Sequence, residues 1–182
     1  MNEFSNIAEY SVTKERSKLY NVAKVITPII VGVVPILYSI YMLLAYGFPP
    51  YPFFIIFLSI VLVVISLNYF RRIDYDYRIV GSELFFSIVY NRKKRKELGS
   101  VDITRFEKIA PYAGKYADEA ESTEYDKVYD FSSSPNDPYV FYAIEYDEEN
   151  NTKTLYLFNA SEKMLKLIKL YNRRAITEYP NE

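Results

Sequence analysis

The 182-residue chain has no cysteine, no histidine, no tryptophan and only five glycines. Without Cys there is no disulfide framework, no thiolate nucleophile and no thiolate metal site. Without His there is no imidazole general base, no Ser–His–Asp triad and no imidazole metal ligand. The glycines form no phosphate-cradling loop, because neither G-x-x-x-x-G-K nor G-x-G-x-x-G occurs. The chemistry left is that of carboxylates, Lys, Tyr, Ser and Thr. Their arrangement points to no catalytic residue, no cofactor and no metal site, and the expectation is a protein without enzymatic activity.

Charge is also missing, but only from one stretch. Between Lys24 and Arg71 lie 46 residues with no charged side chain, whereas charged residues make up about a quarter of ordinary sequence. Pro49, Pro50 and Pro52 split this block, since they cannot continue a helix. The two halves, residues 25–46 and 53–70, are each long enough as helices to cross a bilayer core of about 30 Å. A buried hairpin of a soluble protein is disfavoured, because core helices seldom run so far without a charge. A cleaved signal peptide fits poorly with 24 polar residues ahead of an apolar run longer than a signal core. The expected plan is a polar juxtamembrane segment over 1–24, a transmembrane hairpin, a domain over 73–174 and a tail over 175–182.

Positive charges flank both helices: Lys14, Arg16, Lys18 and Lys24 before the first, Arg71, Arg72 and Arg78 after the second. The connecting turn has none. The positive-inside rule then places both termini in the cytoplasm of a multi-pass plasma-membrane protein. No carboxylate, Lys or Arg lies inside the block, which argues against a self-contained pump or channel. Pro28, Gly32 and Pro35 mark a kink or a close-packing point in the first helix.

After Arg72 the apolar period changes to two. Tyr75, Tyr77 and Ile79 alternate with Asp74, Asp76 and Arg78; Leu84, Phe86, Ile88 and Tyr90 form a second alternating run after Gly81-Ser82. Further strands are expected near 96–98, 102–108, 127–132, 139–147 and 153–158, with a polar loop over 112–126. Met164, Leu165, Ile168 and Tyr171 follow a helical stripe, opposite Lys163, Lys166, Lys169 and Arg173. Asn159 is placed as the N-cap of that helix, with Glu162 three residues on.

Seven strands and a closing helix make an α+β membrane protein. A transmembrane helical hairpin is followed by an antiparallel β-barrel or sandwich with a C-terminal capping helix. The stretch from Tyr77 through Gly81 to Phe86, the basic run after it, Asp102-Ile103 and Phe106 resemble bacterial PH-like (pleckstrin-homology-like) domains. The whole plan, with its tail from Phe158 to Leu165, resembles a small uncharacterised bacterial two-transmembrane family. The resemblance implies a fold and a place at the inner face of a bacterial membrane. It supplies no catalytic residues.

The net charge of −1 hides segregation. Residues 71–108 carry a net +4, residues 109–150 a net −9 and residues 151–182 a net +3. The run Arg92, Lys93, Lys94, Arg95 and Lys96 is the most suggestive local feature. As a hairpin tip near the inner leaflet it would contact anionic phospholipid, each cation contributing about 1 kcal/mol; a solvated turn is the plainer reading. Nucleic acid is not expected, because no recognised motif accompanies the run. The acidic stretch from Asp118 to Asp130 lacks the spacing and turn glycine of a calcium loop. The 20 tyrosines suit strands and membrane edges rather than a ligand platform. The expected partners are the bilayer and a protein partner or second copy of the chain.

Overall fold

The computed structural model describes residues 7–47, 51–147 and 150–177. The prolines at 49 and 50, the turn at 148–149 and the end of the tail lie outside them. The chain divides into two compact units, one of residues 16–71 and one of residues 1–15 with 72–182.

The first unit is a helical pair, α1 (Lys18–Tyr46) and α2 (Tyr51–Tyr69). Both are long and apolar enough to cross a membrane, and only 6% and 17% of their most apolar windows are buried. A core helix of a soluble protein would be mostly covered. The helix reaches back to Lys18, capped by the Ser17 hydroxyl, which accepts from the Tyr20 N–H at 3.2 Å. Pro28 and Pro35 both lie inside α1. Pro35 has no N–H for the carbonyl four residues earlier, that of Val31. The Ser59 hydroxyl of α2 donates to that carbonyl at 2.8 Å. Gly32 permits the approach: a Cβ there would stand 3.1 Å from a Val63 methyl. The carbonyl that Pro35 leaves without a helical donor is thus paired by the second helix.

The second unit holds two four-stranded sheets. The first runs in the order β1 (Ile7–Thr13), β2 (Ile73–Val80), β3 (Glu83–Tyr90) and β4 (Lys94–Asp102), all antiparallel. The second has β5 (Phe106–Pro111), β7 (Val140–Asp147), β8 (Thr152–Asn159) and β6 (Lys127–Asp130) in that order. There β6 runs parallel to β8 and the other pairs are antiparallel. Tyr77, Ile79, Leu84, Phe86, Phe141 and Phe158 meet in one core between the sheets. Helix α4 (Glu162–Tyr171) adds Met164, Leu165, Leu167 and Ile168 to it.

Besides the parallel β6 and the earlier start of α1, four features depart from the sequence reading. The N-terminal segment, read as polar juxtamembrane chain, supplies β1, whose Ala8 enters the core while Glu9 faces out. Its alternation is short and weakly apolar, so it earns its place only by pairing with β2. The expected loop over 112–126 contains helix α3 (Lys115–Ser122). Ala120 there packs with Tyr142 and Ile144 on the outer face of the second sheet. Ser161, not Asn159, caps α4 and accepts from the Met164 N–H. Asn159 is instead fully buried. It accepts from the Ser133 N–H at 2.8 Å and donates to Asp137 at 2.9 Å. Finally, a 3-10 turn (Ile103–Arg105) stands where a fourth strand was expected to begin.

Candidate functional site

The five cations of the basic run are engaged differently. Asn91 and Arg92 have φ of 50° and 57°, and the Lys93 N–H bonds the Tyr90 carbonyl at 3.0 Å. Residues 91–93 thus connect β3 to β4, with two successive left-handed residues making the tight turn. Arg92 occupies a conformation that costs a non-glycine residue about 1–2 kcal/mol. Arg92 and Arg95 turn to the outer face of the first sheet, 4.0 Å from Asp74 and 3.9 Å from Asp76. Lys93, Lys94 and Lys96 are exposed and make no ion pair among the described residues.

Around Arg92 the fold builds a cavity of about 320 Å³ on that outer face, lined by Ser11 and Thr13 of β1, Arg72 and Asp74 beside and on β2, and Arg92. Alternation explains the convergence. Tyr75 and Tyr77 point to the core, so Asp74 and Asp76 point out, and the cross-strand register sets Thr13 opposite Asp74 and Ser11 opposite Asp76. Asp74 is only 7% exposed. One of its oxygens accepts from Arg72 Nε at 2.8 Å and the other faces Arg92 Nε. Arg72 also donates to the Thr13 hydroxyl, and the Ser11 hydroxyl donates to Asp76. The backbone ties the two arginines together. The Asn91 N–H donates to the Arg72 carbonyl, and the Arg72 N–H to the Asn91 side chain, both at 3.0 Å.

A second cavity, of about 280 Å³, opens between the sheets at β4 and β6. Glu145, 8% exposed, accepts from the Tyr156 hydroxyl at 2.9 Å and pairs with Arg105 Nε at 3.2 Å. Arg105 also reaches Asp147 at 3.8 Å. Burial, reinforced by the Glu145 carboxylate, pushes the Tyr156 hydroxyl well above its ordinary range, so it stays a neutral donor. Asp102, at the mouth, titrates below the usual carboxylate range. Burial opposes its charge, but the Thr104 N–H and hydroxyl, Ser82 and Arg105 outweigh it. Along β4 every residue from Lys94 to Ser100 is exposed, and a bulge leaves Leu98 unpaired between Phe86 and Ser87. The other edge of the second sheet, β5, is covered by the C-terminal segment. There the Ile109 N–H donates to the Ala175 carbonyl at 2.7 Å, and Asn172 donates to the carbonyls of Ile103 and Phe106, both at 2.8 Å.

The acidic stretch is absorbed locally. Glu119 holds Lys108 at 2.5 Å and Glu121 accepts from the Tyr112 hydroxyl at 2.8 Å. Burial and Glu121 push Tyr112 up to about 12. Among the described residues no cluster of carboxylates could hold a metal ion.

Of the sequence candidates, only Arg92 lines the first cavity. Ser11, Thr13, Arg72 and Asp74 were missed as site residues because β1 and β2 are separated in sequence by the whole apolar block. Arg72 had registered only as a flanking charge. Alternation in β2 did place Asp74 on its outer face, and was the one usable signal.

A family model described as bacterial PH-like domain (DUF6106) matches residues 6–178. No curated protein and no solved structure matches the chain.

Proposed function

From the premise that the chain belongs to this bacterial PH-like domain family, we propose a membrane-anchored, non-enzymatic interaction module at the inner face of the membrane. The observation that carries this is the insertion of both apolar helices between β1 and β2 of one sheet. Paired strands must lie on the same side of a bilayer, because neither can cross it as an open sheet edge. The residues before α1 and after α2 therefore share a side, and the flanking Lys and Arg make that side cytoplasmic. The surface offered to a protein partner is the exposed β4 edge beside the open seam. A free edge can pair with an added strand. Its lysines repel a basic strand and attract an acidic one.

Cysteine-accessibility labelling of the full chain in intact and permeabilised cells tests the anchoring. Cysteines at Glu9 and Asn136 are expected to label only after permeabilisation, and one at position 48 before it. Labelling of all three from one side overturns the reading. A photo-crosslinker at Ser100 tests the edge. A discrete adduct that an acidic competitor peptide suppresses supports partner binding there, and an adduct pattern identical to that from exposed Lys163 on α4 counts against it.

A second reading is contact of the basic hairpin with anionic lipid. It is favoured by the mutual hydrogen bonds of Asn91 and Arg72, which hold the turn to a residue only three positions beyond the end of α2.

A further inference from the structure

We propose that the cavity on the outer face of the first sheet is a clamp for the phosphate of an anionic phospholipid headgroup, with Arg72 and Arg92 as its jaws and Asp74 as the residue that sets them. This rests on the reading that α1 and α2 span a membrane.

The carboxylate of Asp74 accepts a hydrogen bond from Arg72 Nε at 2.8 Å and forms a looser ion pair with Arg92, whose Nε stands 4.0 Å away. That mode leaves terminal nitrogens free. Arg92 spends none of its own on any hydrogen bond among the described residues, and Arg72 spends one, on Thr13. A guanidinium fork presented beside another is suited to the paired oxygens of a phosphate, which a lysine binds only as a point charge. Asp74 is buried while both arginines are partly exposed, with side-chain exposures of 10%, 40% and 73% for Asp74, Arg72 and Arg92. A buried carboxylate flanked by exposed cations positions them without competing for an incoming anion.

Charge favours an anion as well. Asp76, the other carboxylate at the cavity, is occupied by the Ser11 hydroxyl and by Arg95. Arg72, Arg92 and Arg95 thus outnumber the two aspartates, and Lys93 and Lys94 stand exposed beside them in the turn and at the start of β4. The bonds between Asn91 and Arg72 hold the backbone of the turn beside Arg72, so the two arginines are carried next to each other by the backbone.

Chain length selects the lipid. Arg72 follows Tyr69, the last residue of α2, by three positions. At about 3.3–3.6 Å per residue even extended chain spans roughly 10 Å. The polar headgroup layer adds about 5–8 Å to each side of the hydrocarbon core. A tether that short keeps Arg72 within reach of the headgroup layer, where an anionic lipid carries its phosphate. The contact differs from diffuse attraction by a basic surface, because it needs two forks side by side and is sensitive to which cation is removed.

The test uses the full chain purified in neutral detergent, with native mass spectrometry counting retained phosphatidylglycerol against phosphatidylcholine. Alkaline carbonate extraction of the source membranes comes first. Release of the protein overturns the anchoring and the clamp with it; retention without preference for phosphatidylglycerol overturns the clamp alone. With the clamp present, R92Q lowers apparent phosphatidylglycerol affinity about tenfold, the scale of one charge-assisted hydrogen bond. R92K, which keeps the charge and loses the fork, lowers it severalfold, whereas K96Q changes it little. Equal losses in R92Q and K96Q overturn the proposal, since they mean diffuse charge. Complete displacement of the lipid by equimolar inorganic phosphate also overturns it, assigning the cavity to free phosphate. Unchanged thermal unfolding of R92Q keeps a folding defect from imitating the expected loss.

Discussion

The hydroxyl of Ser59 donates to the carbonyl of Val31, the group that Pro35 leaves without its helical donor. One helix thereby repairs the hydrogen-bond defect of the other. In a lipid environment no water is at hand to do so, and an unpaired carbonyl costs several kcal/mol. Gly32, next in the chain, lets α2 come close enough for the repair.

Replacing Ser59 with Ala is expected to weaken the helix pair by about 0.6–1.7 kcal/mol, the range for such bonds between membrane helices. Replacing Gly32 with Leu is expected to do more, because its side chain must enter space already held by Val63. Steric trapping or thermal unfolding in detergent measures both. Equal stability of G32L and wild type would remove the close-packing account.

Strand β1 is expected to be indispensable to the β-rich unit. A fragment of residues 72–177 exposes the β2 edge and the core around Ala8. The same fragment preceded by residues 7–15 through a short Gly-rich linker should recover cooperative unfolding. Thermal denaturation of the two proteins compares them directly. Cooperative unfolding of the shorter one at the same temperature would contradict the pairing.

Tyr77 is buried at 1% exposure and donates to the Phe131 carbonyl at 2.5 Å. Its replacement by Phe is expected to cost about 1–3 kcal/mol, because a buried carbonyl loses its donor. Urea unfolding at neutral pH gives the number. The same assay separates the two caps considered for α4. S161A should cost about 1 kcal/mol. N159A should cost more, since it leaves Ser133 and Asp137 without their buried partner.

Asp102 carries a pH dependence whose sign is fixed by its lowered pKa. A carboxyl held lower in the folded state than in the unfolded chain stabilises above its unfolded value, near 4. That contribution is lost as the pH falls through the folded pKa. The stability gap between wild type and D102N is therefore expected to be widest near neutrality and to close in acid. A gap independent of pH would assign the effect to packing rather than to charge.

Much of the fold is legible because its signals are local. The apolar block, the alternation of Tyr75, Tyr77 and Ile79, and the stripe of Met164, Leu165 and Ile168 each report a periodicity that a short window contains. Asn159 shows where local rules mislead. It has the residue type of a helix cap and a glutamate at the right spacing, yet its amide is used by Ser133 and Asp137, which arrive from a distant loop. Helix α3 was hidden by its acidity; Ala120 becomes a packing residue only once Tyr142 and Ile144 stand beneath it.

The candidate site was barely legible at all. Composition and periodicity by themselves determined the helical hairpin, the β-rich domain, the closing helix and the surplus of cations where the apolar block ends, because hydrophobicity and charge are written residue by residue. Tertiary structure alone decided that residues 7–13 complete the first sheet, that Arg72 and Arg92 flank one buried aspartate, and that Ser11 and Thr13 join them. Such convergence depends on strand register across an insertion of two helices. Register is fixed by the pairing partner, which no segment of the chain carries within itself.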